Sequence, residues 1–358
     1  MTIWHLLRRL DWRLALLVSM LAAPAFLQSA LAQPAAPSSA SPKLEKLAVH
    51  IAVGGKASLY YLPLTLAEQL GYFKAEGLEV KISDFAGGSQ SLRAVIGGSA
   101  DVVSGAYEHT INMQASKQMM TAFVQMGRLP QIAVGIALGK AAGYKTSADL
   151  RGLKVGVSAP GSSTNILFND FIARGGLKPS DVSFIGVGTA AGAVAAMKSG
   201  QVDVMSNVEP VMTKLEQDGV VKIIADWRSI KGTEATFGGL LPAASLYAPS
   251  KYVKDNPNTI QALTNAVVRA NRWLANATPT EVLKVVPETY LAGDRALYLF
   301  ALQRVKEAYS PDGVIAESGA RATLRVLASH NPKLDPKSIR LEDTYTNVFV
   351  KKAQARLQ

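Results

Sequence analysis

The chain has 358 residues, a formal charge of +11 at pH 7 and no cysteine. The absence of cysteine excludes disulfides, thiol catalysis and a lipid anchor carried on that residue. The Lys and Arg residues are scattered rather than clustered in a stripe, so nucleic acid is not an expected partner. The length is large for one hydrophobic core and ordinary for two lobes.

The N-terminus has the three parts of a secretory signal. A basic stretch, HLLRRLDWR, precedes the apolar run LALLVSMLAAPAFL, and the small-residue pattern ALA ends at Ala32. The alternative is a membrane anchor, but Pro24 and Gln28 interrupt a run that approaches the roughly 20 apolar residues needed to span a bilayer. We therefore expect export to a periplasm as a soluble protein, with residues 1–32 removed and a flexible Pro/Ala/Ser-rich linker over residues 33–45.

The first elements of the mature chain are a strand and a helix. The run LAVHIAV, residues 47–53, is apolar and rich in β-branched residues, as in a strand of a covered sheet. Leu62, Leu66 and Leu70 then recur every four residues and form one buried helical stripe. Gly77 is placed to end this helical region before the strand LEVKI.

The same cycle is repeated further along the chain. The segment FAGGSQSLRAVIGGSADVVSGAYE contains a glycine loop, a helix, a glycine stop and a strand. With an offset of 102, AVIGGSADVVSGAYE (94–108) aligns with AMKSGQVDVMSNVEP (196–210). Alternating strands and helices are typical of parallel βαβ units. The sequence therefore predicts two similar α/β lobes.

A cleft between such lobes is the expected binding site. In α/β sheets ligands bind beyond the carboxyl ends of the strands, where helix N-termini point backbone N–H groups outward. Hinged closure over a small molecule is a common use of two facing lobes. Some glycines open onto helix starts and would let the backbone approach a ligand, although tight turns are the alternative: Gly54, Gly55, Gly87, Gly88 and Gly161.

Four segments together carry a family pattern. They are GYFKAEGLEVKISDFAGGSQSLRAVIGGSADVVSGAYE, LRGLKVGVSAPGSSTNILFNDFIARGGLKPSDVSFIGVG, AAGAVAAMKSGQVDVMSNVEP and DTYTNVFV. These segments resemble the exported substrate-binding proteins of nitrate, sulfonate and taurine ABC importers, which are related to binders of thiamine-precursor pyrimidines. The resemblance covers roughly residues 46–350, and no single motif in it identifies the ligand.

The resemblance implies a type II periplasmic-binding-protein fold, with two α/β lobes joined by two crossings and a ligand cleft between them. It also implies a monomer without a cofactor, which delivers a small-molecule ligand to a permease in the inner membrane. We place the crossings near residues 139–145 and 227–238. The predicted organisation is one lobe from residues 46–138 and 238–358, including C-terminal helices, and a second lobe from residues 139–237.

The family's binding loops, carried over to this chain, predict the ligand contacts. They are Lys56, Ala57 and Ser58; Gly87, Gly88 and Ser89; Tyr107 and Glu108; Ser162, Ser163 and Thr164; Gly188 and Thr189; and Asn207 and Glu209. Ser89 and Ser162 are equally suited to cap helices. Glu209 is suited to the first turn of a helix, where the helix dipole favours a carboxylate. One of Tyr60 and Tyr61 is expected to line the cleft.

Catalysis is not expected. Among the four histidines only His109 lies near a predicted binding loop, and beside Glu108 it makes neither a nucleophile constellation nor a metal site. A pyrimidine-forming enzyme resembles this family, but it relies on a cysteine-rich motif that this chain lacks. A transcription-factor effector domain shares the fold, but the export signal and the lack of a helix-turn-helix segment before residue 46 disfavour it.

Two ligand chemistries remain open. Helix N-termini rich in Ser, Thr and Gly favour an oxyanion such as sulfonate, nitrate or carboxylate. Glu108 and Glu209 favour an amine or a ring N–H, with Tyr107 stacking beside it, as in a pyrimidine binder. An aminosulfonate such as taurine has both characters. Arg128 and Arg228 are the candidates for a cleft arginine.

Overall fold

The computed structural model describes residues 43–291 and 293–357. The predicted signal segment and most of the predicted linker lie outside these residues. The last part of that linker is held in place, because the Glu45 carboxylate accepts hydrogen bonds from the backbone N–H groups of Asn258 and Thr259. Within the described ranges, no helix has both the length and the apolar character that crossing a membrane requires.

The strands of the described residues form two five-stranded sheets. The strands are β1 (Ala48–Gly54), β2 (Glu79–Phe85), β3 (Val102–Ala106), β4 (Met120–Gln125), β5 (Ile132–Ala137), β6 (Lys154–Val157), β7 (Ser183–Gly186), β8 (Val204–Val208), β9 (Val221–Asp226) and β10 (Ala244–Pro249). The first sheet has the order β2-β1-β3-β10-β4 and the second has the order β7-β6-β8-β5-β9. Three parallel strands begin each sheet, and the fourth strand of each runs antiparallel to both of its neighbours.

Helices connect and cover the strands. They are α1 (Leu62–Gln69), α2 (Tyr72–Ala75), α3 (Gly88–Ile96), α4 (Glu108–Ala115), α5 (Ser163–Ala173), α6 (Ala191–Lys198), α7 (Val211–Gln217), α8 (Ile230–Phe237), α9 (Ser250–Asp255), α10 (Pro257–Asn276), α11 (Pro279–Val285), α12 (Arg295–Val305), α13 (Glu317–His330) and α14 (Val348–Arg356). In α1 the predicted stripe is real, since Leu62 and Leu66 are buried and Leu70 packs against the same core. The predicted α/β class is confirmed.

The first crossing lies earlier in the chain than the sequence predicted. Strand β4 belongs to the first sheet and β5 to the second, so the chain passes between the sheets at residues 126–131 and not at 139–145. The apolar run of β5 is held between β8 and β9, and this pairing joins segments far apart in sequence. The second passage lies between β9 and β10, within residues 227–243, and overlaps the predicted range 227–238.

The loops that follow the strands of the two sheets meet each other. Backbone N–H of Leu59, after β1, donates to the carbonyl of Glu209, after β8, at 3.0 Å. The N–H of Ser89, at the start of α3, donates to the hydroxyl of Ser162, which precedes α5, also at 3.0 Å. The carboxyl ends of the parallel strands therefore border one cleft, and the two lobes are closed on each other in this conformation.

Candidate functional site

Glycine is required where β1 enters the cleft. A side chain at Gly54 would clash with the backbone N of Gly88, and one at Gly55 would clash with the Thr189 side chain from the other lobe. Gly55 also has φ of +98°, which L side chains rarely adopt. These glycines let loops of the two lobes approach each other closely.

Glu108 is an acidic side chain buried in the cleft. It begins α4, is 5% exposed, and accepts a hydrogen bond from the hydroxyl of Ser163, the first residue of α5. Burial raises the pKa of Glu108 to about 7, and the hydrogen bond from Ser163 partly opposes that shift. Glu108 therefore joins the two lobes and titrates close to neutral pH.

Aromatic side chains surround this carboxyl group. His109 Nδ1 lies 2.8 Å from Tyr247 Oη and shares a hydrogen bond with it. Burial lowers the pKa of His109 to about 4, so its ring is neutral at physiological pH. Within the described part of the chain, His109 Nε2 and Tyr60 Oη are buried without a hydrogen-bond partner. Buried polar atoms normally have partners, so these two atoms are the cleft's unsatisfied groups.

Two small adjoining spaces, with cavity volumes of about 10 and 20 Å³, lie beside these residues. Tyr60 and Ser163 line both of them. The first space is also lined by Glu108, by apolar residues of α5 and α13, and by residues of both chain segments that pass between the lobes. The second is lined mainly by hydroxyl groups, backbone and the tyrosine and histidine rings. In this closed conformation each has room for little more than a water molecule, so a larger solute requires the lobes to move apart.

The structure brings together many of the predicted contact residues. Those that line one or both spaces are Ser58, Gly88, Glu108, Ser162, Ser163, Thr164 and Thr189. Ser162 occupies the N-cap position of α5, but its hydroxyl accepts the Ser89 N–H across the cleft instead of capping its own helix. The Ser89 hydroxyl in turn donates to the Pro160 carbonyl at 2.9 Å. These two serines therefore join the lobes to each other.

Other predicted residues are engaged elsewhere or do not line these spaces. Lys56 pairs with Glu68 at 2.7 Å, and the Asn207 amide donates to the carbonyl of Gly188 at 2.9 Å. Tyr107 lies in the hydrophobic core, where its hydroxyl shares a hydrogen bond of 2.6 Å with Thr344. It is therefore not free to stack on a ligand. Three predicted residues are also absent from the lining of the two spaces: Ala57, Gly87 and Gly188.

Glu209 and Arg228 bind each other. One Glu209 oxygen lies 2.6 Å from Arg228 Nη1, and the other accepts the N–H of Thr213 at 2.9 Å in the first turn of α7. Arg228 also pairs with Asp226 at 2.5 Å. Both carboxylate oxygens of Glu209 are therefore occupied, as its alternative role at a helix start requires. Arg128 lies outside the cleft and donates to the Glu307 carbonyl at 2.9 Å.

Sequence reasoning missed the partner of His109. Tyr247 lies on β10, 138 residues from His109 in the chain, and no local pattern connects the two. Tyr60 was expected as one of two candidates, and it lines both spaces while Tyr61 lines one. Over the residues that the structure describes, no group of three His, Asp or Glu side chains could hold a metal ion.

Comparison with known proteins identifies the family. The model of the NMT1-like family matches residues 43–286. The chain belongs to the NMT1-like family. A solved structure from Bordetella bronchiseptica RB50 is 54% identical to this NMT1-like protein, covers 88% of it and 99% of its own chain, and superposes with a TM-score of 0.87.

More distant structures share the fold. The periplasmic nitrate-binding protein NrtA of Synechocystis PCC 6803 is 16% identical, with a TM-score of 0.70 over 88% of this chain and 90% of its own. The alkanesulfonate-binding protein SsuA of Xanthomonas axonopodis pv. citri, bound to MOPS, is 20% identical, with a TM-score of 0.66 over 86% of this chain and 100% of its own. The predicted periplasmic-binding-protein fold is therefore confirmed, as is the predicted family resemblance.

Two curated relatives differ in kind. The binding protein YtlA of Bacillus subtilis strain 168 is 23% identical over 73% of this chain and 77% of its own length. The 4-amino-5-hydroxymethyl-2-methylpyrimidine phosphate synthase of Schizosaccharomyces pombe is 29% identical, but over only 37% of each chain. The more extensive of these two matches is thus to a binding protein.

Proposed function

We propose that this NMT1-like protein is the periplasmic solute-binding component of an ABC importer. It captures a small polar solute between its lobes and delivers it, as a monomer, to a permease in the inner membrane. The observation that carries the proposal is the cleft itself, where Glu108 of one lobe and Ser163 of the other meet beside unsatisfied buried polar atoms. The names of the NrtA, SsuA and YtlA relatives support this role.

Closure gives the capture step a physical basis. The hydrogen bonds that join Ser89 to Ser162 and Glu108 to Ser163 form only when the lobes meet. A solute that contacts both lobes adds its own interactions to the closed state alone, and so shifts the population towards closure. The permease would then bind the closed, loaded protein.

We infer a binding role rather than a catalytic one. The described residues contain no relay of nucleophile, base and acid, because Ser163 donates to Glu108 whereas His109 is paired with Tyr247. The chain has no cysteine to act as a nucleophile. The match to the pyrimidine phosphate synthase spans too little of either protein to carry that activity across.

The test is ligand-induced stabilisation. Binding to the native state adds RT ln(1 + [L]/Kd), which is about 2.7 kcal/mol at a hundred-fold excess over Kd. We expect one class in a panel of sulfonates, nitrate, amino acids, amines and pyrimidines to raise the Tm. A Ser163→Trp variant, whose ring is too large for the closed cleft, should lose the shift while keeping its fold by circular dichroism. No shift with any member of the panel would count against the proposal.

A further inference from the structure

Glu108 lacks a cationic partner in the cleft. The residues that line the two spaces include this one acidic side chain and neither lysine nor arginine. Tyr60, Tyr61 and Tyr247 face it, and burial raises the pKa of each phenol, so that all three stay neutral. His109 is neutral as well. The lining groups therefore offer Glu108 hydrogen bonds and no opposite charge.

Two of the cationic side chains that the sequence suggested for the cleft are paired with other acids. Lys56 is paired with Glu68, and Arg228 is held by Glu209 and Asp226. Neither side chain lines the two spaces. An anionic ligand would therefore meet a carboxyl group without a side-chain cation to compensate it.

Two further polar atoms of the lining can accept a hydrogen bond from a ligand. Tyr60 Oη and His109 Nε2 have no partner among the described residues, and both line the same space. A phenol oxygen can accept a hydrogen bond, whereas His109 Nε2 accepts only in the tautomer whose Nδ1–H donates to Tyr247 Oη. Tyr60 Oη and the Glu108 carboxyl oxygens can therefore accept from a ligand beside the two spaces, and His109 Nε2 joins them in that tautomer.

We propose that the cleft binds its solute through a donating nitrogen, an amine or a heterocyclic N–H, presented to Glu108, and selects against solutes whose sole polar group is an anion. This inference rests on the proposed solute-binding function and names the ligand class for that site. Taurine, which carries an amine beside its sulfonate, satisfies the donor requirement, whereas nitrate and simple alkanesulfonates do not.

The experiment compares probes that differ by one group. Pyrimidine and 4-aminopyrimidine share a ring but differ in the amino group; ethanesulfonate, taurine and ethylamine separate the anion from the amine. Each is titrated into the full mature protein by calorimetry and thermal shift. We expect binding by at least one of 4-aminopyrimidine, ethylamine and taurine, and none by pyrimidine, ethanesulfonate or nitrate.

Variants identify the acceptor. Glu108→Gln keeps the shape of the side chain but removes the charged acceptor. It should lower the affinity for the amino probe that binds by about ten-fold or more. Tyr60→Phe removes a hydroxyl that has no partner among the described residues. It should lower the affinity for the same probe about five-fold without loss of fold. The matched control is Glu317→Gln, at an exposed acid on α13, which should leave the affinity for the probe unchanged.

The outcomes separate the two proposals. If ethanesulfonate or nitrate binds, and Glu108→Gln leaves that binding unchanged or tighter, the ligand class is wrong while the solute-binding function survives. If an amino probe binds equally well to Glu108→Gln, the assignment of Glu108 is overturned. If neither the amino probes nor the anions bind, and no member of the broader panel raises the Tm, both proposals fail.

Discussion

Glu108 and Ser163 belong to different lobes, and the Ser163 hydroxyl donates to the Glu108 carboxyl group inside the cleft. Burial raises the pKa of Glu108 from its ordinary value of 4.5 to about 7. An interlobe contact whose acid titrates near neutral pH makes the closed conformation sensitive to pH.

The first prediction concerns this sensitivity. A raised carboxyl pKa in the folded state means that the stabilising contribution of Glu108 is complete below about pH 4.5 and is lost as the pH rises through about 7. The free energy of unfolding of the wild type, minus that of Glu108→Gln, should therefore fall by about 3 kcal/mol between pH 4.5 and 8. His109, whose pKa burial lowers from 6.5 to about 4, changes the stability of both proteins over the same pH range, so its contribution cancels in this difference. The raised pKa values of the facing tyrosines lie above the range. Urea unfolding at several pH values measures the difference, and a pH-independent difference would contradict it.

The buried ion pair of Glu209 and Arg228 gives a second prediction. Glu209 is fully buried and Arg228 is 2% exposed, so Arg228→Met leaves a buried carboxylate without its main partner. We expect a loss of about 3–5 kcal/mol of unfolding free energy, and partial recovery when Glu209→Gln is added. The control is Arg295→Met, whose partner Glu288 is 66% exposed, with an expected loss of about 0–1 kcal/mol. Equal losses at the two sites would show that burial is not the cause.

A third prediction tests the glycine requirement at the cleft. Gly55→Ala introduces a side chain at φ of +98° and against Thr189, and should destabilise the protein by about 1–3 kcal/mol. Adding Thr189→Ala should relieve the steric part of that loss and leave the backbone part. Gly139→Ala is the control, because open space surrounds Gly139 and its φ is not positive. Thermal or urea unfolding measures all three variants; a neutral Gly55→Ala would refute the close approach of the loops.

The fourth prediction concerns export. The N-terminal pattern predicts that the periplasmic product begins after Ala32. The intact mass of protein released by osmotic shock should therefore lack residues 1–32. A full-length species retained in the membrane fraction would instead support the anchor that the sequence left as the alternative.

Local sequence patterns were sufficient to predict single helices and strands. The leucine spacing of α1 and the β-branched run of β1 could be recognised because helix and strand periodicity are properties of a few neighbouring residues. The internal offset of 102 residues similarly predicted two similar α/β units, and each sheet indeed begins with three parallel strands. Glu108 could be placed at the cleft because it follows the end of β3, while its contact with a ligand stays a prediction.

Contacts between segments far apart in the chain could not be predicted from such local patterns. The first crossing was misplaced because the assignment of β5 depends on its partners β8 and β9, not on its own sequence. Glu209 was considered as a ligand contact because nothing near it in sequence reveals Arg228, which lies 19 residues away and folds back beside it. The same limit applies to His109 and Tyr247, whose contact exists only once β10 has joined the first sheet.

The place of β10 also determines the order in which the molecule can be completed. This strand lies between β3 and β4, so the first sheet is divided until β10 arrives. Ribosomes synthesise β10 only after all of β5 to β9, so the segment emerging first cannot finish its own sheet before the second sheet has been made. A fragment ending before Ala244 would leave β4 without its neighbour in that sheet. The two halves are thus unsuited to separate expression, and maturation of the N-terminal half must await the C-terminal half.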